Sequence, residues 1–249
     1  MGGRAGHRAG AGAEAALPDA GPFRDLATTA LALARRFRGG GTLWCVSPAW
    51  PWHARHVAVE FVHPVVVGTR ALPAVSAEGP DVVAALRVGA RPGDMVLALG
   101  PAGDATVADV MRRAPTWGLR TVWIGAGPRP GPGAADHVLW AGGDEGVTAF
   151  DGGLVLVYHV LWELVHVCLE HPGLLVEETV PDAAAVCVTC ADQGTVAEVV
   201  ALLSGNRASV RAGGVLEEVD VTLVDVPAPG GLVLVHAGSA VAVVQDGAP

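Results

Sequence analysis

Nowhere in this 249-residue chain does a run of basic residues alternate with aromatics, and its 16 basic against 25 acidic side chains give a formal net charge of -9. The electrostatic term that nucleic-acid binding requires is therefore missing. Nor is there a long unbroken apolar run. The longest, residues 154–169, is interrupted by His159, Glu163 and His166, which a lipid-spanning helix carries only at high cost, so no transmembrane helix is expected. The opening stretch, MGGRAGHRAGAGAEAALPDAG, lacks the apolar core of a secretory signal, and no Ser or Thr follows Gly2 at the spacing of a myristoylation site. A disordered tail over residues 1–22 and a cytoplasmic protein are expected. Cysteine is scarce too. The four, at positions 45, 168, 187 and 190, are too few and too uneven for a disulfide scaffold. Only Cys187 and Cys190, as C-V-T-C, stand close enough to share chemistry. Without a second CxxC to complete a zinc ribbon, they read as half a metal site, a redox pair or two buried thiols.

What the chain does have is apolar material, 51% of its residues, which is ample for a core. Residues 23–172 alternate short apolar runs bounded by Gly, Pro or Asp (41–46, 94–99, 120–124, 137–140) with helical patterns (24–36, 53–61, 81–88, 106–117 and a long one over 148–170). That alternation predicts an α/β domain with a mostly parallel sheet covered by helices. An acidic linker over 173–186 follows, and the texture then changes. Val-rich, period-two segments at 195–203, 208–212, 216–226, 231–236 and 240–245, separated by Gly and Pro, predict five strands over 187–249. Five short strands suit a small OB-like β-barrel, since closure removes exposed edges.

Within the barrel, CVTCADQGTVAEVV, then EEVDVTLVD, then GLVLVHAGSAVAVV occur in one order and spacing that resembles the HypC/HupF hydrogenase-assembly chaperones. The resemblance implies an essential thiol, matched by Cys190 with Cys187 as the other candidate, and a histidine in V-L-V-H-x-G, matched by His236. It further implies that these residues hold an iron cargo, the Fe(CN)2CO centre. The centre passes between assembly scaffold proteins and the hydrogenase large-subunit precursor, which would be the partners. A thiolate is the soft ligand such iron prefers, and an imidazole can ligate or take a proton beside it. The alternative is that both cysteines are small buried hydrophobes and that His236 caps a strand.

The first domain is similar to sugar-isomerase (SIS) proteins of the phosphoheptose isomerase branch. HARHVAVEF puts His56 and Glu60 one helical turn apart on a common face, and DGGLVLVYHVLWELV supplies Asp151 and His159 at the positions that complete the isomerase site. The resemblance implies that His56, Glu60, Asp151 and His159 bind a divalent metal such as zinc, with Glu60 and His159 as base and acid on adjacent carbons. A surface ion pair and a core histidine are the alternative. The phosphate-cradling loops depart from the isomerase pattern. They read VSPAW and GPAGDA, where Pro48 removes a donor, Trp50 replaces a hydroxyl and Asp104 brings a charge that repels phosphate. Trp50, Trp52 and His53 are expected at the mouth of the pocket.

Three classes of function stay open on these residues: an accessory protein of [NiFe]-hydrogenase maturation, a sugar-phosphate isomerase or binding protein recruited to that machinery, or a structural scaffold with both sites inert. The helix over 148–170 has an apolar stripe of Leu154, Val157, Leu161, Leu164 and Val165, with Val155, Trp162 and Val167 off it. Such a helix is too apolar all round to face water. It predicts a homo-oligomer through the first domain, with Glu60 and His159 meeting across the interface.

Overall fold

The computed structural model describes residues 21–65, 68–141, 152–176 and 194–245. Two sheets organise them. The first is five-stranded and wholly parallel, in the order β2-β1-β3-β4-β5, built from β1 (Leu43–Val46), β2 (Ala74–Ala77), β3 (Met95–Leu99), β4 (Arg120–Ala126) and β5 (His137–Ala141). Parallel strands need crossovers, and these are supplied by α2 (Pro51–Val62), α3 (Val82–Gly89) and α4 (Ala105–Arg113), with α1 (Gly21–Arg38) before the sheet and α5 (Gly152–Glu170) after it. Strand side chains alternate between two cores, as the pleat requires. Leu43, Cys45, Met95, Leu97, Leu99, Val122 and Ile124 face one side with α1, α2 and α5. Val46, Val96, Ala98 and Trp123 face the other with α3 and α4. The α/β architecture expected from the sequence is the one observed.

Several element ends follow local chemistry. Asp104 caps α4 by accepting from the amides of Thr106 and Val107, both at 3.0 Å. The helix expected over 106–117 stops at Arg113, because Pro115 has no amide to donate and the chain tightens into a 3-10 turn, Ala114–Trp117. Strand β2 has no counterpart in the sequence reading. It is four residues long, lies at the sheet edge and leaves Val75 and Ser76 partly in solvent, so it lacks the apolar run that marks a buried strand.

Helix α5 buries Leu154, Tyr158, Leu161, Trp162, Val165 and His166 in the first core. By length and composition it could cross a membrane, yet one whole flank is covered by α1 and α2. Trp162, expected off the buried stripe, lies on it and donates its indole N–H to the carbonyl of Glu60 at 2.9 Å. Leu156 and Val167 stay in the open, at 63% and 39% exposure. After α5 a short 3-10 turn, Pro172–Leu175, adds Leu175 to the same core.

The second sheet is a closed five-stranded barrel in the order β10-β8-β7-β6-β9, from β6 (Thr195–Leu203), β7 (Arg207–Ala212), β8 (Val215–Asp220), β9 (Leu232–His236) and β10 (Ser239–Val244). Its core is small-residue and Val-rich: Ala197, Val199, Ala208, Val210, Val219, Val233, Val235 and Ala240. The strand expected over 216–226 ends at Asp220, whose carboxylate accepts the Thr222 amide at 2.7 Å and turns the chain. Hydrogen bonds from the Thr222 hydroxyl and then its amide hold the Asp220 carboxyl below its ordinary range.

Barrel and parallel sheet touch along a defined seam. The β7–β8 turn, Gly213–Gly214, has positive φ at both residues (57° and 85°) and lies against Pro92 and Gly118, where the Gly214 amide donates to the Thr116 carbonyl at 2.8 Å. A Cβ at Gly214 would come within 2.6 Å of the Pro92 side chain, so this approach requires glycine.

Candidate functional site

Helix α2 presents His56 and Glu60 one turn apart, and α5 crosses near it with Tyr158 and His159. The Nε2 of His56 lies 3.2 Å from Glu60 Oε1, and the Nε2 of His159 lies 3.7 Å from the same oxygen. The ligand atoms of His56, Glu60 and His159 all fall within 4.8 Å of one another, each side chain partly buried. The three meet within one chain, which corrects the expectation of a site shared across an interface for Glu60 and His159. Asp151, the fourth residue expected there, lies outside the described residues.

The orientation of each ring is fixed from behind. His159 Nδ1 sits 2.8 Å from the Val155 carbonyl, an acceptor only, so Nδ1 donates there and Nε2 is the ring atom turned toward Glu60. His56 is held by Tyr158, whose hydroxyl is 3.0 Å from His56 Nδ1 and 3.3 Å from His53 Nδ1. Two imidazole lone-pair positions and a carboxylate oxygen converging on one point suit a divalent cation with an open coordination position, and ring nitrogens fixed by outer partners suit it further. Burial, and secondly the Glu60 carboxylate, pushes the Tyr158 phenol up to about 12.

Tyr158 is the member that the sequence left unnamed, and His53 is placed differently from the expectation. His53, expected at the mouth of a pocket, is 3% exposed and sits beneath the site, whereas Trp52 is exposed and Trp50 packs partly into the core. The signal for Tyr158 was available: it is the chain's single tyrosine and directly precedes His159.

In the loops after β1 and β3 the polar groups that could meet an anion are already engaged. At the α4 N-terminus, where free amides would meet a phosphate, Asp104 already occupies them with its own carboxylate. After β1, the Ser47 hydroxyl is buried and donates to the Leu99 carbonyl at 2.9 Å, so it is not available to a ligand. Trp50 offers no capping group to α2, which begins with Pro51.

In the barrel, His236 ends β9 half-buried, next to the tight turn Ala237–Gly238 that leads into β10. Cys187 and Cys190 lie outside the described residues. Of the other two thiols, Cys45 is fully buried and its pKa is raised by burial; Cys168 is raised in the same direction for the same cause, opposed by Arg35. Neither has the electropositive, accessible setting of a reactive thiol.

One buried charge joins the two halves. Glu198 of β6 is 2% exposed, accepts from the Arg87 guanidinium of α3 and from the Trp117 indole N–H at 3.0 Å, and is ion-paired with Arg211 of β7 at 3.8 Å. Beside it, Arg113 of α4 donates to the Gly230 carbonyl of the barrel at 2.6 Å. A carboxylate this deep is tolerated only when paired and hydrogen-bonded, and two of its partners come from the other domain.

Against known proteins, residues 193–248 match the HupF/HypC family. The match begins three residues after Cys190. No curated protein matches the sequence at a significant level. The parallel-sheet part has the fold of a phosphoheptose isomerase from Francisella tularensis, with a TM-score of 0.51 at 14% identity over 61% of this chain and 87% of that one. A phosphoheptose isomerase from Neisseria gonorrhoeae aligns with a TM-score of 0.48 at 13% identity, over 59% of this chain and 93% of that one.

Proposed function

With a barrel of the HupF/HypC family on an isomerase-like domain as the premise, we propose that this chain is a cytoplasmic accessory protein of [NiFe]-hydrogenase maturation. Its barrel holds or transfers the Fe(CN)2CO centre, or docks on the proteins that do. The observation that carries the reading is the family match over residues 193–248, supported by the closed barrel those residues form. In this reading the iron centre is cargo. Cys190, or Cys187, supplies the soft thiolate and His236 the imidazole, and the partners are the hydrogenase large-subunit precursor and the assembly scaffold proteins. The test is purification of the protein from its host with its partners, followed by iron analysis and infrared spectroscopy. Cyanide and carbonyl stretching bands are expected; their absence from an active host would count against cargo binding.

The first domain supports a second, subordinate reading. His56, Glu60 and His159 fit a zinc ion in donor type and spacing. Bound there, zinc would supply Lewis acidity toward a carbonyl or hydroxyl oxygen. The chain's own residues would do the rest: the second carboxylate oxygen of Glu60 would move a proton at a small substrate, His159, its Nδ1 donating to Val155, would serve as ligand and not as acid while zinc is bound, and Tyr158 would keep His56 turned toward the metal. A sugar phosphate is the weaker choice of substrate, because Asp104 fills the position its phosphate would need. A homo-oligomer through this domain accords with the apolar groove between α1, β5 and α5, lined by Phe23, Leu26, Trp140, Leu156 and Val160.

A further inference from the structure

The amino-terminal edge of the parallel sheet carries a cavity that shares no residue with the His56–Glu60–His159 site. Its volume is about 530 Å³, and it is walled by the end of α1 (Arg35, Arg36), the glycines 39–41, the loop before β3 (Arg91, Pro92, Gly93, Asp94) and Arg120 at the start of β4. Four arginines and one aspartate thus line it, in a chain whose net charge is -9. That carboxylate is already used. Asp94 is 7% exposed and accepts from the Thr42 amide, the Trp44 indole and the Arg91 amide.

The arginines are less committed. Arg120 shares its charge with Asp136 at 2.7 Å on the cavity's flank. Arg35, Arg36 and Arg91 make no ion pair with any described residue, and Arg35 Nε is buried without a hydrogen-bond partner among them. Attraction to the carboxyl-terminal dipole of α1 accounts for basic residues in its last turn. It does not account for Arg91 and Arg120, which come from other elements and converge on the same space. Nor is the cavity blocked by side chains from the glycines: Gly40 and Gly93 have φ of 86° and 99°, and a Cβ at either would meet nothing within 4 Å.

We infer that this cavity is a binding site for a small phosphoanhydride, a ligand carrying two or more linked phosphate groups. A single phosphate brings a charge of about -1.5 to -2, short of what three uncommitted guanidinium groups accommodate. Two linked phosphates bring oxygen pairs at the spacing that planar guanidinium forks bind bidentately. The volume also falls within the range of small-molecule sites and exceeds what one inorganic anion fills. The same groove continues past Pro92 and Gly118 to Gly213 of the barrel turn, so the ligand lies at one end of the seam between the two halves.

Isothermal titration of the full chain with inorganic pyrophosphate tests this, with sulfate at equal ionic strength as the comparison. Pyrophosphate is expected to bind, and Arg36→Ala and Arg91→Ala are each expected to weaken it by about tenfold or more, the worth of one charge-assisted contact. Both side chains are at least partly in solvent, so the variants should melt as the parent does. Arg55→Ala, which removes an exposed arginine on α2 paired with Glu78, should leave binding unchanged. No heat of binding at millimolar pyrophosphate would overturn the inference. So would equal binding of sulfate, or undiminished binding in both cavity variants.

Discussion

Glu198 is the side chain on which the docking of barrel and parallel sheet turns. Replacing it by Ala removes a carboxylate that is 2% exposed and leaves the Trp117 indole N–H, in a residue only 3% exposed, without its acceptor. The orphaned donor costs about 1–3 kcal/mol and the lost charge-assisted bond from Arg87 about 1.5–3 kcal/mol. Arg87 and Arg211 are 37% and 28% exposed, so water recovers part of their solvation and the sum falls toward the low end, about 3 kcal/mol. For a chain of this size that is a drop of roughly 6–12 °C in melting temperature. A double-mutant cycle with Arg87→Ala, read by urea unfolding, should give a coupling of about 1–2 kcal/mol across the seam. Glu198→Gln, which keeps an acceptor for Trp117, should lie between parent and Glu198→Ala. A cost below about 0.5 kcal/mol for Glu198→Ala, or no coupling to Arg87, would refute the docked arrangement.

Tyr158 gives a pH test with a clean readout, because the chain has one tyrosine. Its phenol is pushed up to about 12 against about 10 when unfolded. A raised pKa means that the stability it contributes is whole below about pH 10 and drains away as pH rises toward 12. Ultraviolet titration should therefore show tyrosinate appearing only near pH 12 or together with unfolding; ionisation near 10 in the folded protein would place the ring in water. In the first domain, Co(II) should give a visible spectrum with the parent that Glu60→Gln and His159→Ala each abolish without loss of fold, and spectra unchanged by both would remove the metal reading. Sedoheptulose 7-phosphate at millimolar concentration should not raise the melting temperature, and a rise of several degrees would show that Asp104 does not close the anion position.

Much of the fold was legible because its signals are local. The period-two Val segments of the barrel, and the apolar runs bounded by Gly, Pro and Asp in the parallel sheet, declare themselves within a few residues. Strand β2 did not, since a four-residue edge strand carries neither an apolar run nor strict alternation. The convergence of His56, Glu60 and His159 was reachable from helical spacing and resemblance, and the single tyrosine beside His159 was a signal for Tyr158, but the bonds that join Tyr158 to His56 and His53 depend on how α5 crosses α2. Glu198 was invisible for the same reason. In sequence it is one acidic residue in a strand, and only the packing of α3 and the 3-10 turn against β6 makes it a buried, multiply bonded group. Asp104 stood out in the sequence as a charge in a phosphate-type loop, while its capping of α4 with its own carboxylate needed the backbone.

The central claim is that the barrel thiol serves hydrogenase maturation, and one measurement addresses it directly. In a host lacking this chain, hydrogenase activity is compared after complementation with the parent, with Cys190→Ala and with Cys187→Ala, at matched protein levels. The account predicts that the parent restores activity and that Cys190→Ala does not, since the thiolate that would hold the iron is gone. Full activity with both cysteine variants, or undiminished activity in the host without the chain, would contradict it.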